Sequence, residues 1–203
     1  MIFSFGGASA IGKTTLCEAF SDTHLTIPEV NLLFQNEERA GKLWYYEKQV
    51  ERYRMAKNAK RDIIFDGDIF QPIWYNWIYG YPKVFASKEE TQDFYLKKIQ
   101  EGEIAFPDLY LIFYTAVEEL RKRKERDKNR RRRNFEKHIQ LIEPHKKYFN
   151  FLKKETAIPV AFVEYRSVEA TKIIVSQLMK NALVTDYDAP SEFEKIIRWL
   201  ERN

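Results

Sequence analysis

Glycine, cysteine and histidine are scarce in this chain of 203 residues, which holds seven, one and three of them. The single cysteine, Cys17, excludes an internal disulfide. With no second thiol it also excludes a cysteine-based metal motif, so a reducing compartment is expected. The histidines His24, His138 and His145 show no metal-ligand spacing with acids or with Cys17. His138 and His145 fall two turns apart on one helix face and are expected at the surface. Long apolar runs are missing too: the longest uncharged stretch, "IFQPIWYNWIYGYP", has fourteen residues broken by Pro72 and Gly80, too few to span a bilayer. No basic segment precedes the apolar N-terminus, and Lys13 interrupts any signal-peptide reading, so a cytoplasmic protein is expected.

Hydrophobic residues at 44% and aromatics at 15% are enough for a folded core, while charged residues at 32% call for a heavily solvated surface. The net charge of +4 is uneven. The segment "RKRKERDKNRRRR", residues 121–133, holds ten basic and two acidic residues, so the remainder carries −4. Such a local block asks for an anionic partner nearby.

Short apolar runs alternate with longer amphipathic stretches, the pattern of a parallel sheet with helical crossovers. The runs are residues 2–5, "LTIPE" at 25–29, "DIIFDGD" at 62–68, "DLYLIFY" at 108–114 and "PVAFVEY" at 159–165. Helices are expected at about 14–22, 38–60, 69–80, 88–102, 116–127, 134–154, 167–181 and 191–202. A doubly wound α/β domain with a five-stranded parallel sheet follows, with ligands at the carboxyl ends of the strands. The expected organisation is a single domain over residues 1–203, with a mobile basic lid at about 121–135 and a C-terminal helix at about 191–202.

The tandem glycines occur in "GGASAIGKTTL", residues 6–16, where Gly7 to Thr14 fit the phosphate-binding loop G-x-x-x-x-G-K-[ST] between a strand and a helix. Glycine permits the tight turn that converges backbone N–H groups on an anion, and the following helix points its positive end at the same place. Gly7, Ala8, Ser9, Ala10, Ile11, Gly12, Lys13, Thr14 and Thr15 are therefore nucleotide-binding candidates. Lys13 would serve the outer phosphates and Thr14 a Mg²⁺ ion. Asp66 ends the third strand, where an acid that organises the metal belongs. Arg126 and the run at 130–133 follow the fourth strand and its helix. Guanidinium groups there would stabilise a transferring phosphoryl group and close the site to water.

In this order the segments resemble the P-loop nucleoside and nucleotide kinases, namely deoxynucleoside, thymidylate and adenylate kinases and small-molecule kinases such as chloramphenicol phosphotransferase. "GGASAIGKTTL" is similar to their P-loop, and "IPEV" to the Glu-containing segment after the second strand. "FDGD" is similar to the acidic motif after the third strand, and "PDLYLIFYTAVEELRKRKERD" to the fourth strand and lid. The resemblance implies ATP on residues 7–15, Mg²⁺ near Thr14 and Asp66, lid arginines among Arg123, Arg126 and Arg130, Glu29 facing the acceptor hydroxyl and Gln49 near a substrate base. Deoxynucleoside and thymidylate kinases place an arginine after the third-strand acid, and here Gly67 and Asp68 follow it.

A phosphate acceptor calls for arginines, whereas a hydroxyl acceptor gains from a carboxylate that takes its proton. Glu29, Asp66 and Asp68 favour the hydroxyl; Arg39, Arg52 and Arg54 keep a nucleoside monophosphate open. Tyr46, Trp74, Tyr75 and Trp77 are candidates to sandwich a flat acceptor. The expected function is an ATP-dependent kinase acting on the hydroxyl of a nucleoside-like or aromatic small molecule, as a monomer or homodimer away from membranes. The alternatives are a nucleoside monophosphate kinase and, in another class, a nucleotide-dependent nucleic-acid-binding module using the basic run. That run contains no aromatic residue to stack on bases, which weakens the nucleic-acid reading.

Overall fold

Each of the five apolar runs forms a strand, because each is short and built from residues that favour extended backbone; the runs at 2–7, 63–66 and 109–114 are largely buried on both faces, while Leu25 in an edge run is 43% exposed. The computed structural model describes residues 1–80, 86–126 and 135–203. Strands Ile2–Gly7 (β1), Leu25–Ile27 (β2), Ile63–Asp66 (β3), Leu109–Tyr114 (β4) and Val160–Glu164 (β5) make one all-parallel sheet in the order β2-β3-β1-β4-β5.

Side-chain alternation divides the core between the two faces. Phe3, Phe5, Ile64, Leu109, Leu111 and Phe113 point to one face. There they meet helices Lys13–Ala19 (α1), Val117–Arg126 (α6) and Val168–Lys180 (α9) through Leu16, Leu120 and Val175. Ile63, Phe65, Tyr110 and Ile112 point to the other. That face is covered by Trp44–Lys57 (α3), Gln71–Tyr79 (α4), Lys88–Gln100 (α5), Ile142–Glu155 (α8) and Ala189–Arg202 (α10). Two short helices, Val30–Leu33 (α2) and Phe135–Gln140 (α7), complete the described chain. Among the described residues no helix is long and apolar enough to cross a membrane.

Side-chain caps at Ser87, Ser167 and Asp188 start α5, α9 and α10. At α5, Ser87 and Glu90 form a capping box: the Ser87 hydroxyl accepts from the Glu90 N–H, and the Ser87 N–H donates to Glu90 Oε2 at 2.7 Å. The single helix expected over 134–154 is instead two, broken at Leu141. Pro144 explains the break, since it has no N–H to give the Gln140 carbonyl and is tolerated only in the first turn of α8. The expected helix over 38–60 begins only at Trp44, and α2 forms ahead of it without a sequence signal. Most of the expected lid, residues 127–134 with Arg130 to Arg133, lies outside the described residues, as does Tyr81.

β1 stands in the middle of the sheet with β3 on one side and β4 on the other. Chain order reverses there, which opens a crevice above the carboxyl end of β1, and the segments that follow β1, β2 and β4 line it. One wall of that crevice is formed by α4, held by Phe70. This fully buried ring stacks on Phe106 at 4.3 Å and meets Tyr95 at 5.1 Å. Phe70→Ala should therefore lower the unfolding free energy by about 3–5 kcal/mol, read from urea denaturation. A loss below about 1 kcal/mol would show that the junction of α4 and α5 is loosely packed.

Candidate active site

The loop between β1 and α1 is held in shape by backbone geometry that only certain residues allow. Gly7 has φ +134 and Gly12 has φ +106. A Cβ at either position would come within 2.6 Å of a neighbour, the Phe113 carbonyl oxygen and the Tyr165 hydroxyl respectively. Ile11, 1% exposed, pins the middle of the loop into the core below α1. From behind, the Arg123 guanidinium donates to the Ile11 carbonyl at 2.8 Å and the Arg166 carbonyl at 3.0 Å, pairs with Glu119, and lies over the Tyr165 ring. Tyr165 in turn donates to the Gly12 carbonyl at 3.3 Å. Arg123, expected among the lid arginines, is thus a strut for the loop. Arg126 is exposed at the end of α6, away from the cleft wall.

The cleft above the sheet measures about 1490 Å³ and is lined by every residue from Gly7 to Thr15. That exceeds the roughly 300–1,000 Å³ of a single small-molecule pocket, leaving room for a donor and an acceptor together. Lys13 crosses back over the loop, donating to the Gly7 carbonyl at 3.1 Å. Its neighbour Thr14 donates to Asp66 Oδ2 at 2.8 Å, which joins the first turn of α1 to the end of β3.

Asp66 is 4% exposed, and its second oxygen, Oδ1, has no hydrogen-bond partner among the described residues. A buried carboxylate oxygen without a donor is costly, and beside the Thr14 hydroxyl it is the kind of group that satisfies a cation. Among the described residues no cluster of three or more His, Cys, Asp or Glu could hold a metal alone. Mg²⁺ held by one carboxylate, a hydroxyl and substrate phosphates needs no such cluster, so the residues present fit that ion.

The three acids expected near the acceptor separate by burial. Glu29 is exposed on the cleft wall where β2 ends. Asp68 is turned into the core instead of the cleft: its oxygens accept from the Phe70 N–H at 2.9 Å, the Trp74 indole at 2.9 Å and the Tyr110 hydroxyl at 3.0 Å. Burial pushes its carboxyl up from the usual range, while these three donors and Arg52 pull it down. Asp68 therefore ties β3, α4 and β4 together.

The aromatic candidates divide likewise. Trp74 and Tyr75 line the cleft, with Trp44, Tyr45 and Tyr79 beside them. Burial holds the Tyr45 and Tyr75 hydroxyls up at about 12, so both stay protonated, and Tyr45 donates to Gln71 Oε1 at 3.2 Å. Tyr46 is buried, accepting from Asn76 at 2.6 Å, and Trp77 packs on Trp199 at 5.1 Å. Gln49 is also fully buried, with its Oε1 on Arg52. All three face the core because α3 and α4 turn those positions toward α5 and α10. Of the helical arginines, Arg52 is buried and Arg54 pairs with Glu103 at the surface, while Arg39 lines the cleft and donates to Asn31.

His145, expected at a helix surface, instead forms part of the cleft floor. Its ring packs edge-on against Trp74 at 4.6 Å and tilts against Phe149 at 4.7 Å. The i, i+4 pairing of His145 with Phe149 on an aromatic helix face was the signal available for this placement. Burial, and then the charge of Lys13, lowers its pKa to about 3, so it is neutral at physiological pH.

A histidine whose folded pKa lies below its unfolded value adds stability that is complete above about pH 6.5 and lost as the pH falls toward the folded value. Between pH 6.5 and 5.0 His145 should cost the native state about 2 kcal/mol. Urea denaturation of wild type and His145→Phe at both pH values tests this, and equal pH dependence in the two would contradict it. For Asp68→Asn, which places an amide N–H₂ among donors, a loss of about 1–3 kcal/mol is expected in the same assay. An unchanged midpoint would count against the buried hub.

No family model and no curated protein matches the sequence. In three dimensions the chain is similar to deoxyadenosine kinase from M. mycoides with bound dATP, at TM-score 0.65 and 15% identity over 89% of this chain and 100% of that one. The same enzyme with products dCMP and a flexible dCDP matches at TM-score 0.62 and 13% identity, covering 89% and 99%. Thymidylate kinase from Candida albicans matches at TM-score 0.57 and 16% identity, covering 89% and 91%. The chain thus shares its overall fold with these solved nucleoside and nucleotide kinases.

Proposed function

We propose that this protein is a kinase that transfers the γ-phosphoryl group of ATP to a hydroxyl of a nucleoside-like or aromatic small molecule. The observation that carries the reading is the Thr14–Asp66 pair beneath the loop from β1 to α1, with one Asp66 oxygen that has no hydrogen-bond partner among the described residues, while Glu29 stands exposed on the cleft wall. The solved structures of similar fold support it, because their names state nucleoside and nucleotide kinase activities.

In this reading the N–H groups from Ala8 to Thr15 and the Lys13 ammonium hold the phosphates, with the positive end of α1 behind them. Mg²⁺ on Thr14 and Asp66 would supply charge neutralisation on the phosphate oxygens. The acceptor lies between Trp74, Tyr75 and Tyr45 with its hydroxyl toward Glu29. Its oxygen bonds to the γ-phosphorus as the bond to the bridging oxygen of ADP breaks, and Glu29 takes the hydroxyl proton. Asp68 and Gln49 act beneath the cleft instead of touching the acceptor, because their polar atoms face the core.

A second reading, a nucleoside monophosphate as acceptor, is favoured by Arg39 and Lys42 on the same wall. The two separate on Glu29. A nucleoside and monophosphate panel should find a nucleoside-like hydroxyl preferred. Lys13→Ala should cut transfer by about 10²-fold or more, and Glu29→Gln should lower kcat by about 10²–10⁴-fold. Preference for a monophosphate with Glu29→Gln fully active would move the assignment to the second reading. Absence of ATP binding in the wild type would overturn both.

A further inference from the structure

A charged side chain is almost never buried whole unless something holds it there. Arg52, on α3, is 1% exposed and has no carboxylate bonded to its guanidinium among the described residues. Its NH1 donates to Gln49 Oε1 at 2.6 Å. NH2 reaches three backbone carbonyls, Asp66 at 2.9 Å, Ile27 at 3.3 Å and Gly67 at 3.3 Å, and the planar group lies 5.1 Å from the Phe65 ring centroid.

Those carbonyls belong to the last residues of β2 and β3, just before the chain turns into the cleft. Ile27 precedes Glu29 by two residues, and Asp66 and Gly67 are the end of β3 and the turn after it. Gly67 has φ +85, and a Cβ there would stand 3.1 Å from Glu29 Cγ and 3.3 Å from its Oε1. The Glu29 side chain therefore lies directly across the peptide that Arg52 holds. One buried guanidinium is bonded to the backbone beneath both carboxylates that face the phosphate loop and the acceptor.

The arrangement carries costs that packing alone would avoid. Arg52 Nε and Gln49 Nε2 are buried donors with no acceptor among the described residues, and a well-packed apolar side chain would remove both penalties. Burial pushes the Arg52 pKa down, and the negative charges of Glu29, Asp66 and Asp68 act against that. Arg52 is thus also the buried positive charge beneath a group of three acids.

We infer that Arg52 is a positioning residue, which sets the distance between Glu29 and Asp66 by clamping the ends of β2 and β3 and the Gly67 turn under the acceptor site. It touches neither nucleotide nor acceptor. Its effect on the reaction passes through Glu29, and this part of the inference rests on the kinase reading above.

The test uses the full chain with Arg52→Lys, which keeps a charge and a donor, and Arg52→Met, which keeps the apolar stem. Far-UV circular dichroism verifies folding of each. With the best acceptor from the panel, Arg52→Met should lose about tenfold to 10²-fold in kcat. Its ATP affinity should stay within about twofold of wild type because the phosphate loop is untouched, and Arg52→Lys should recover part of kcat. Hydrogen exchange should rise in Arg52→Met over residues 25–33 and 63–71 and stay unchanged over residues 6–16. That exchange pattern in a wild type without kinase activity would sink the kinase reading while supporting the clamp. Unchanged kcat, or exchange that rises equally in the phosphate loop, would overturn the clamp. If Arg52→Met does not fold, Arg52→Lys decides alone: wild-type kcat together with wild-type exchange over 25–33 overturns the inference.

Discussion

The hydrogen bond from Thr14 to Asp66 joins two elements that the chain makes 52 residues apart, the first turn of α1 and the end of β3. It depends on a parallel sheet in which β1 and β3 are neighbours, with Phe5 opposite Asp66, so that both strands deliver their carboxyl ends to the same crevice. That sheet in turn depends on burial of both faces. Phe3 and Phe5 on one side, and Ile63, Phe65 and Ile112 on the other, keep both faces of the central strands from water. Site and core are therefore set by the same pairing.

Around that bond the charged groups are sorted by depth. Asp68 and Arg52 are fully buried and act on the scaffold, one gathering three donors, the other bonded to three carbonyls. Asp66 is buried just beneath Thr14, with one oxygen bonded to it and the other without a partner among the described residues. Glu29 alone of the three expected acids is exposed on the wall. Under the proposed function the chemistry needs positioned charge more than reactive groups, and a graded burial of this kind suits it.

How far the sequence could be read depended on whether a residue's role is local. The phosphate loop is local: glycines at fixed spacing between an apolar strand and a helix admit few other conformations, and residues 7–15 line the cleft together. The strands were legible for the same reason, as short apolar runs. Asp66 and Asp68 differ by two positions and one glycine, and nothing in "FDGD" says which side chain turns to the cleft. That is decided by the Trp74 indole and the Tyr110 hydroxyl, which arrive from other elements. Tyr46, Gln49, Trp77 and His145 sit on helices, and which face of each helix is covered is decided by the elements packed against it, such as α5 for Tyr46 and α10 for Trp77. Arg123 was legible as a basic residue after β4. Its contact with Ile11, 112 residues away, was not.

The central claim is that the phosphate loop and Asp66 together bind a metal–nucleotide complex. Titration calorimetry of ATP with and without Mg²⁺, on wild type and on Asp66→Asn, addresses it most directly. The account predicts that Mg²⁺ tightens ATP binding to the wild type and has little effect on Asp66→Asn. Wild-type affinity indifferent to Mg²⁺, or an Asp66→Asn variant with the full Mg²⁺ response, would contradict it.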